Sequence, residues 1–391
     1  MKTPHSQPSR ARHASPTEAL ALLAKQLMGV SHDANCSFEL INQGGSNREF
    51  YRFRSHGGPS VVVMHYSPEK EENGLYPDLA AFLTENGVQV PRVLFHDPAR
   101  HFIGLEDLGD ISLYRLAHER KNMGMLQGVY RQALEQALAL HQLTARPART
   151  MEAFGEKLYH WERHYFLENL IQKWAGMQLS EADLRLFEKE GNSMASCLMK
   201  APVCLVHRDF QSQNILLHRD KVWLIDFQGM RPGHAAYDVA SLLFDPYVRL
   251  PAPFRASMTE WYFQKAFGSG NAARPGRLRR AEFTRQLLCA ATQRLMQALG
   301  AYAFLGLQKG KPEFLRFIPQ GLENLATVLC HMDDLSHLTS LAQRLLVKAR
   351  MGDGAPAGNS GPVEKTETGE GAFPAPPAAA GKAGSEAGVS V

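Results

Sequence analysis

The spacing of apolar and polar positions divides the chain into two regions of different period. After a helical stretch at Thr17–Met28, short apolar and β-branched runs recur at Phe38–Ile41, Phe50–Phe53, Ser60–Tyr66, Val93–Phe95 and Phe102–Leu105. The turn formers Gly44-Gly45, Gly57-Gly58-Pro59 and Asp97-Pro98 separate them, so the runs predict strands. One helix, Tyr76–Asn86, interrupts the series and is expected to stop at Gly87, because glycine accepts the left-handed backbone that closes a helix. From Ser112 the period becomes helical, through Leu126–Leu143, Phe154–Trp174, Glu181–Met199, Ala281–Leu305 and Glu313–Met332. The pattern predicts an α/β (α+β) chain: a small mainly-β lobe followed by a larger mainly-α lobe.

A β-like insertion, Val203–Gln228, breaks the helical series, and the chemistry concentrates there. Its first part, Val206-His207-Arg208-Asp209-Phe210-Gln211-Ser212-Gln213-Asn214, leads into Ile215-Leu216-Leu217-His218, and after Arg219-Asp220-Lys221 the chain continues as Val222-Trp223-Leu224-Ile225-Asp226-Phe227. Two apolar runs around a short polar turn form a hairpin. Taken as symmetric about Asp220, that hairpin sets Asn214 directly across from Asp226, with Cβ atoms about 5 Å apart. An amide oxygen and a carboxylate can then share a hard cation such as Mg2+, which prefers oxygen ligands. Asp209, on the loop before the hairpin, reaches the same spot and can orient or accept the proton of an attacking hydroxyl, which is the division of labour phosphoryl transfer needs. A lone loop aspartate is usually a turn former or helix cap; the ordered set of His207, Asp209, Asn214 and Asp226 points to the kinase arrangement, with Asp226-Phe227-Gln228 at the metal aspartate.

These residues resemble the aminoglycoside phosphotransferase and choline kinase superfamily, and within it the anomeric N-acetylmuramate/N-acetylglucosamine kinases of cell-wall recycling. The resemblance rests on His207-Arg208-Asp209-Phe210, Ile225-Asp226-Phe227-Gln228, Tyr237-Asp238-Val239-Ala240-Ser241-Leu242-Leu243 with Asp245 and Tyr247, Gln293-Arg294, Leu299-Gly300 and Glu106-Asp107-Leu108-Gly109-Asp110. It spans roughly residues 17–349, as expected of a whole bilobal domain. It implies a protein-kinase-like fold, with an N-lobe at 16–108 for nucleotide and a helical C-lobe at 109–350 for the catalytic loop and acceptor. It further implies ATP and Mg2+ as cofactors, an amino sugar as the small-molecule substrate, Asp209, Asn214 and Asp226 as catalytic residues, and Arg208, Gln211, Gln228 and Arg294 around the acceptor. In this likeness His207 packs behind the metal aspartate and Asp238 braces the catalytic loop. Gln211 and Gln213 stand where those sugar kinases resemble one another in having His and Arg, which leaves the exact sugar open.

On the nucleotide side, Gln43-Gly44-Gly45-Ser46-Asn47 joins two predicted strands, and its glycines let backbone N–H groups approach phosphate; an ordinary hairpin turn reads the same way. Gly44, Gly45, Ser46 and Asn47 are the phosphate-loop candidates, and Glu106 and Leu108 fall where the resemblance places the interlobe hinge. Kinases carry a lysine on the third strand, but Val61-Val62-Val63-Met64-His65-Tyr66 has none. Lys70, Arg52, Arg48 or backbone donors are the available substitutes, and a pseudokinase that binds nucleotide without turnover is the rival reading.

Composition narrows the acceptor. Lys+Arg 43 against Asp+Glu 39 gives +4, too small a surplus for a dedicated nucleic-acid binder. Between Pro246 and Leu322, however, twelve basic residues face three acids, Glu260, Glu282 and Glu313. A polycationic aminoglycoside is repelled by such a lobe, and choline would want an aromatic and acidic pocket. A neutral or anionic acceptor suits it, and Arg294, on a helix expected to face the cleft, can pair with the lactyl carboxylate of N-acetylmuramate; homoserine and thiosugars remain alternatives. Arg274–Arg280 reads as a solvated surface loop. The five cysteines show no Cys-x-x-Cys pair and are expected as reduced thiols. Residues 1–15 and 351–391 have the composition of disordered tails. With no apolar core before Ala19 and no membrane-length run, a cytoplasmic protein is expected, without nucleic-acid or membrane partners.

Overall fold

A computed structural model of the chain describes residues 16–31, 35–42, 48–119, 123–268 and 278–351. The expected tails lie outside these residues apart from Met351, as do Gly44, Gly45, Ser46 and Asn47 of the phosphate-loop candidate.

All five predicted strands form one antiparallel sheet in the order β1-β2-β3-β5-β4, with β1 Cys36–Asn42, β2 Arg48–Ser55, β3 Ser60–Tyr66, β4 Val93–Asp97 and β5 Phe102–Glu106. Strand alternation decides what each face meets. Phe53, Val61, Val63 and Phe102 pack against Leu20, Leu23 and Ala24 of helix α1 (Pro16–Met28), forming a small outer core. Val62, Met64, Tyr66, Ile103 and Leu105 point the other way, into the main core with Leu79 and Leu83 of α2 (Tyr76–Glu85). A one-residue slip would exchange the two faces, so the register is strongly specified. Gly87, just past α2, has φ +80°, the left-handed conformation expected of it.

The C-lobe is helical: α3 Leu113–Glu119, α4 Met123–His141, α5 Glu156–Phe166, α6 Glu181–Met199, α7 Ala235–Leu243, α8 Ala252–Phe267, α9 Arg280–Gln308, α10 Ile318–Leu329 and α11 Ser336–Met351. Its axis is α9, 29 residues long and buried along most of its length because other helices surround it. Gly300 lets the α5 backbone come close, since a Cβ there would lie 3.0 Å from main-chain atoms of Tyr165 and Phe166. The predicted helix Phe154–Trp174 is two pieces: α5, then a π-helical segment Leu167–Trp174 whose wider turn ends with Ala175 N–H bonding the Leu170 carbonyl at 2.8 Å. Glu313–Met332 likewise opens as a 3-10 turn, Pro312–Phe317, before α10. Among the described residues no helix is long and apolar enough to cross a membrane.

Candidate active site

Strand β6 (Val203–Val206) pairs antiparallel with β9 (Arg231–His234), and the candidate residues lie in the excursion between them. The expected hairpin is present as β7 (Ile215–His218) and β8 (Lys221–Leu224), but its register differs from the symmetric reading by one residue. Ile215 faces Leu224, the turn is the pair Arg219-Asp220 with φ 50° and 60°, and Asn214 therefore sits across from Ile225, whose N–H it accepts at 3.0 Å. Asp226 reaches Asn214 by another route. Its own backbone turns left-handed, φ 64°, and swings the carboxylate back so that Asn214 Nδ2 lies 3.4 Å from Asp226 Oδ2. The same Nδ2 donates to the Asp209 carbonyl at 2.9 Å. Asp209, Asn214 and Asp226 thus line one cleft, beside Arg208, which also carries positive φ, 75°. Non-glycine residues rarely adopt this conformation, and such residues cluster at working sites.

Buried carboxylates hold this loop from behind. Asp238 of α7, fully buried, accepts the His207 N–H at 2.7 Å and the Arg208 N–H at 2.9 Å on its two oxygens, and His141 Nε2–H donates to it at 3.0 Å. Asp245 accepts the N–H of Ser212 at 2.8 Å and of Tyr247 at 2.9 Å. His207 Nε2–H donates to the Ile225 carbonyl at 3.0 Å, which ties the loop to the far strand of the hairpin. His218 Nδ1–H donates to the Leu108 carbonyl at 3.0 Å, tying the hairpin to the segment between the lobes. The cleft encloses about 880 Å³, within the usual range for small-molecule sites. Val62, Leu105, Leu216 and Ile225 contribute apolar lining, and Glu106 and Leu108 of the interlobe segment also line the cleft.

The model of the phosphotransferase enzyme family matches residues 37–283, most of the described sheet together with the whole excursion between β6 and β9. The chain belongs to this family. It is an ATP-dependent small-molecule kinase acting on a hydroxyl acceptor. The N-acetylmuramate/N-acetylglucosamine kinase of Pseudomonas aeruginosa is 26% identical over 309 residues, 78% of this chain and 88% of that one. The protein of the same name from Neisseria meningitidis is 27% identical over 299 residues, 76% and 87% of the respective chains. Among solved structures, a choline/ethanolamine kinase family protein from Mesorhizobium loti superposes with TM-score 0.55 at 15% identity, covering 84% of this chain and all of that one, which shows a shared fold.

In this phosphotransferase the cations of the cleft do not come from β3. On the inward face of the β2–β3 pair, Arg48, Phe50 and Arg52 of β2 stand opposite Tyr66, Met64 and Val62 of β3. β3 is hydrophobic where a phosphate-binding lysine would project, and β2 brings two arginines to the cleft. They do different things. Arg52, buried, pairs with Asp107 at 3.0 Å and Asp110, and donates to the Gly109 carbonyl at 3.1 Å, so it fastens the interlobe segment. Arg48 instead reaches across the cleft to Asp226 Oδ1 at 2.6 Å. Burial alone would raise the Asp226 pKa, but the Arg48 charge, the Gln228 amide at 2.8 Å and His207 outweigh it and hold the carboxyl below its ordinary value. Lys70 lines the same cleft, its pKa lowered chiefly by burial.

The floor on the C-lobe side is basic. Arg294 of α9 is held by Ser241 Oγ at 3.2 Å, Gln297 and Gln211 Oε1 at 3.1 Å, and its guanidinium lies 3.6 Å from Asp209 Oδ1. Arg208 lies 3.6 Å from Asp209 Oδ2, so a guanidinium flanks each oxygen of that carboxylate. Arg231, 3% exposed, sits over the Phe154 ring and donates to the Gly229 carbonyl at 3.0 Å; burial, and then Arg208, lower its pKa to about 10. Behind them Glu162 accepts from Gln293 at 2.9 Å and Tyr237 at 2.9 Å, its pKa raised by burial. Gln228, expected beside the acceptor, gives its amide to Asp226. Arg231 and Glu162 escaped the sequence reading. Arg231 sits in Arg-Pro-Gly-His, which has no strand signature, and Glu162 lies, with Arg163, among the apolar positions Leu158, Tyr159, Tyr165 and Phe166 of α5, a signal that was there to be read.

Proposed function

We propose that this kinase transfers the γ-phosphoryl group of ATP to the anomeric hydroxyl of an N-acetylated amino sugar, N-acetylmuramate or N-acetylglucosamine. The observation that carries the reading is the convergence of Asp209, Asn214 and Asp226 on one interlobe cleft. The donor set of Asn214 and Asp226 is an amide oxygen and a carboxylate held ionised, which fits a hard divalent cation. These two residues would hold Mg2+, which when bound neutralises charge on the phosphates. Asp209 orients the acceptor hydroxyl and takes its proton as the new O–P bond forms and the bond from the γ-phosphorus to the β-phosphate oxygen breaks, releasing ADP. The two flanking arginines fix the direction of its carboxylate, and the backbone bonds to Asp238 and Asp245 fix the loop that carries it. Such positioning, with little covalent chemistry by the protein, is what phosphoryl transfer demands.

Of the substitutes for the strand lysine, Arg48 pairs at 2.6 Å with Asp226, the carboxylate assigned to the metal, and Lys70 lies near enough to act on the same charge. We assign Arg48 the contact with nucleotide phosphate, entering from β2, and assign the purine to the apolar lining near Leu105 and Leu216. The acceptor takes the floor formed by Arg208, Gln211, Arg231 and Arg294, where Arg294 pairs with a lactyl carboxylate when the sugar has one. Two lines support the sugar: the names of the Pseudomonas and Neisseria relatives, and a floor whose positive charge opposes polycationic or quaternary-amine acceptors. The test is nucleotide consumption by the purified protein with N-acetylmuramate, N-acetylglucosamine, choline and kanamycin, beside Asp209→Asn. Turnover with both sugars alone is the expected result; turnover only with choline or kanamycin would overturn the acceptor assignment.

A further inference from the structure

Away from the cleft, two histidines four residues apart on α5, His160 and His164, lie on one helix face with ring centroids 4.2 Å apart. Both turn their Nε2 atoms toward one carboxylate on the neighbouring helix: His164 Nε2 is 3.0 Å from Glu188 Oε1, and His160 Nε2 is 3.7 Å from Glu188 Oε2. One ligand atom from each of the three residues lies within 4.8 Å of the others. Ligands about 2.0–2.2 Å from a tetrahedral ion are separated by roughly 3.3–3.6 Å, so closing this triangle takes only small side-chain rotations. The histidines are about half exposed, at 54% and 50%, and therefore open to an ion from solution.

We propose that His160, His164 and Glu188 form a site for a divalent transition ion of the Zn2+ class, bound by two imidazole nitrogens and one carboxylate oxygen, with water completing the shell. The donor set selects the ion: imidazole suits Zn2+, Ni2+ and Cu2+, while Mg2+ and Ca2+ want oxygen alone. The remaining carboxylate oxygen has its own partner, because the guanidinium of buried Arg163 lies 3.7 Å from Glu188 Oε2 and is itself anchored to Asn192 at 2.7 Å. Outer contacts of this kind orient a ligating carboxylate. Burial, and then the neighbouring His164, lower the His160 pKa and favour the neutral imidazole that ligates. An ion here fastens α5 to α6, and Leu158 and Trp161 of the same α5 line the cleft, so the clasp steadies one wall of the active site.

The experiment uses untagged full-length protein freed of metal with EDTA and titrated calorimetrically with Zn2+, with Mg2+ as the comparison ion. One Zn2+ should bind the wild type, at least about tenfold more weakly in His164→Ala, and not measurably in the His160→Ala/His164→Ala double variant. Asp226→Asn should leave this binding unchanged, because that residue belongs to the other site. Zn2+ at a hundredfold excess over its Kd should raise the Tm of the wild type by roughly 4 °C and leave the double variant where it is. Melting of wild type and double variant in EDTA should coincide, showing that the substitutions spare the fold. Zn2+ binding that persists in the double variant, that is lost in Asp226→Asn, or that is absent from the wild type would overturn the proposal.

Discussion

The two walls of the cleft are held by different kinds of bond. On the C-lobe side, main-chain N–H groups of His207, Arg208 and Ser212 are fixed by the buried carboxylates of Asp238 and Asp245, within 2.7–2.9 Å. On the N-lobe side the contacts are between long side chains, Arg48 to Asp226 and Arg52 to Asp107. Charge-assisted bonds from backbone to a buried carboxylate leave no rotamer to choose on the donor side, so the loop that carries Asp209 is held by the fold itself. A guanidinium on Asp226 can exchange that partner for phosphate. One wall is held by backbone bonds and the other by side-chain ion pairs, and the proposed function uses the first for position and the second for exchange.

The sharpest way to break this division is at the group that is positioned. Asp209→Asn keeps size and hydrogen bonding but removes the proton acceptor, and should lower kcat by roughly 10²–10⁴ with little change in the KM for ATP, measured by steady-state kinetics. A drop of only a few-fold would mean that another group takes the proton. Next comes the brace. Asp238→Ala leaves three donors unpaired in a site sealed from water, and should cost about 3–5 kcal/mol in stability, read from urea midpoints, with kcat falling as the loop loses its support. Full stability in that variant would show that the loop is rigid for some other reason.

Legibility follows the same division. Asp209, Asn214 and Asp226 could be picked out as candidates, and the structure brings them to one cleft, because the proposed chemistry needs particular types at particular spacings; the sheet could be read because alternation marks two faces. The geometry linking Asn214 to Asp226 could not. A two-residue turn with both positions left-handed normally announces itself through Asn or Gly, but here Arg219 and Asp220 occupy it, so the sequence favoured a turn centred on Asp220 and a register one residue off. The left-handed Asp226 that restores the contact carries no local signature, since it is imposed by the structure around it. The Arg48–Asp226 pair was equally hidden: it depends on which face of β2 turns inward, and Arg52 on the same face is claimed by Asp107.

On the exchangeable wall, Arg48→Ala should raise the KM for ATP about tenfold or more, the value of a charged hydrogen bond, while kcat changes less; Arg48→Lys should recover part of the loss. Direct nucleotide titration separates this from an effect on folding. Unchanged nucleotide affinity in Arg48→Ala would move Arg48 from the exchanging wall to the merely structural one.

The smallest effect tests whether Arg48 rests on Asp226 in the free protein at all. The folded-state pKa of Asp226 is depressed, so its ionised form adds stability that is fully present above the unfolded carboxyl pKa, about 3.9, and is lost as pH falls through the folded value. Asn at this position has no such dependence. The stability gap between wild type and Asp226→Asn should therefore be constant from pH 7 to about 5 and close below about pH 4. With 32% of the Asp226 side chain exposed, screening by solvent keeps the gap below about 1 kcal/mol. Urea midpoints across that range, without nucleotide or divalent ions, provide the measurement. Wild type and Asp226→Asn could be separated by the same margin at every pH. The guanidinium would then not be resting on the carboxylate before nucleotide binds, and the N-lobe wall would be assembled by the ligand instead of released to it.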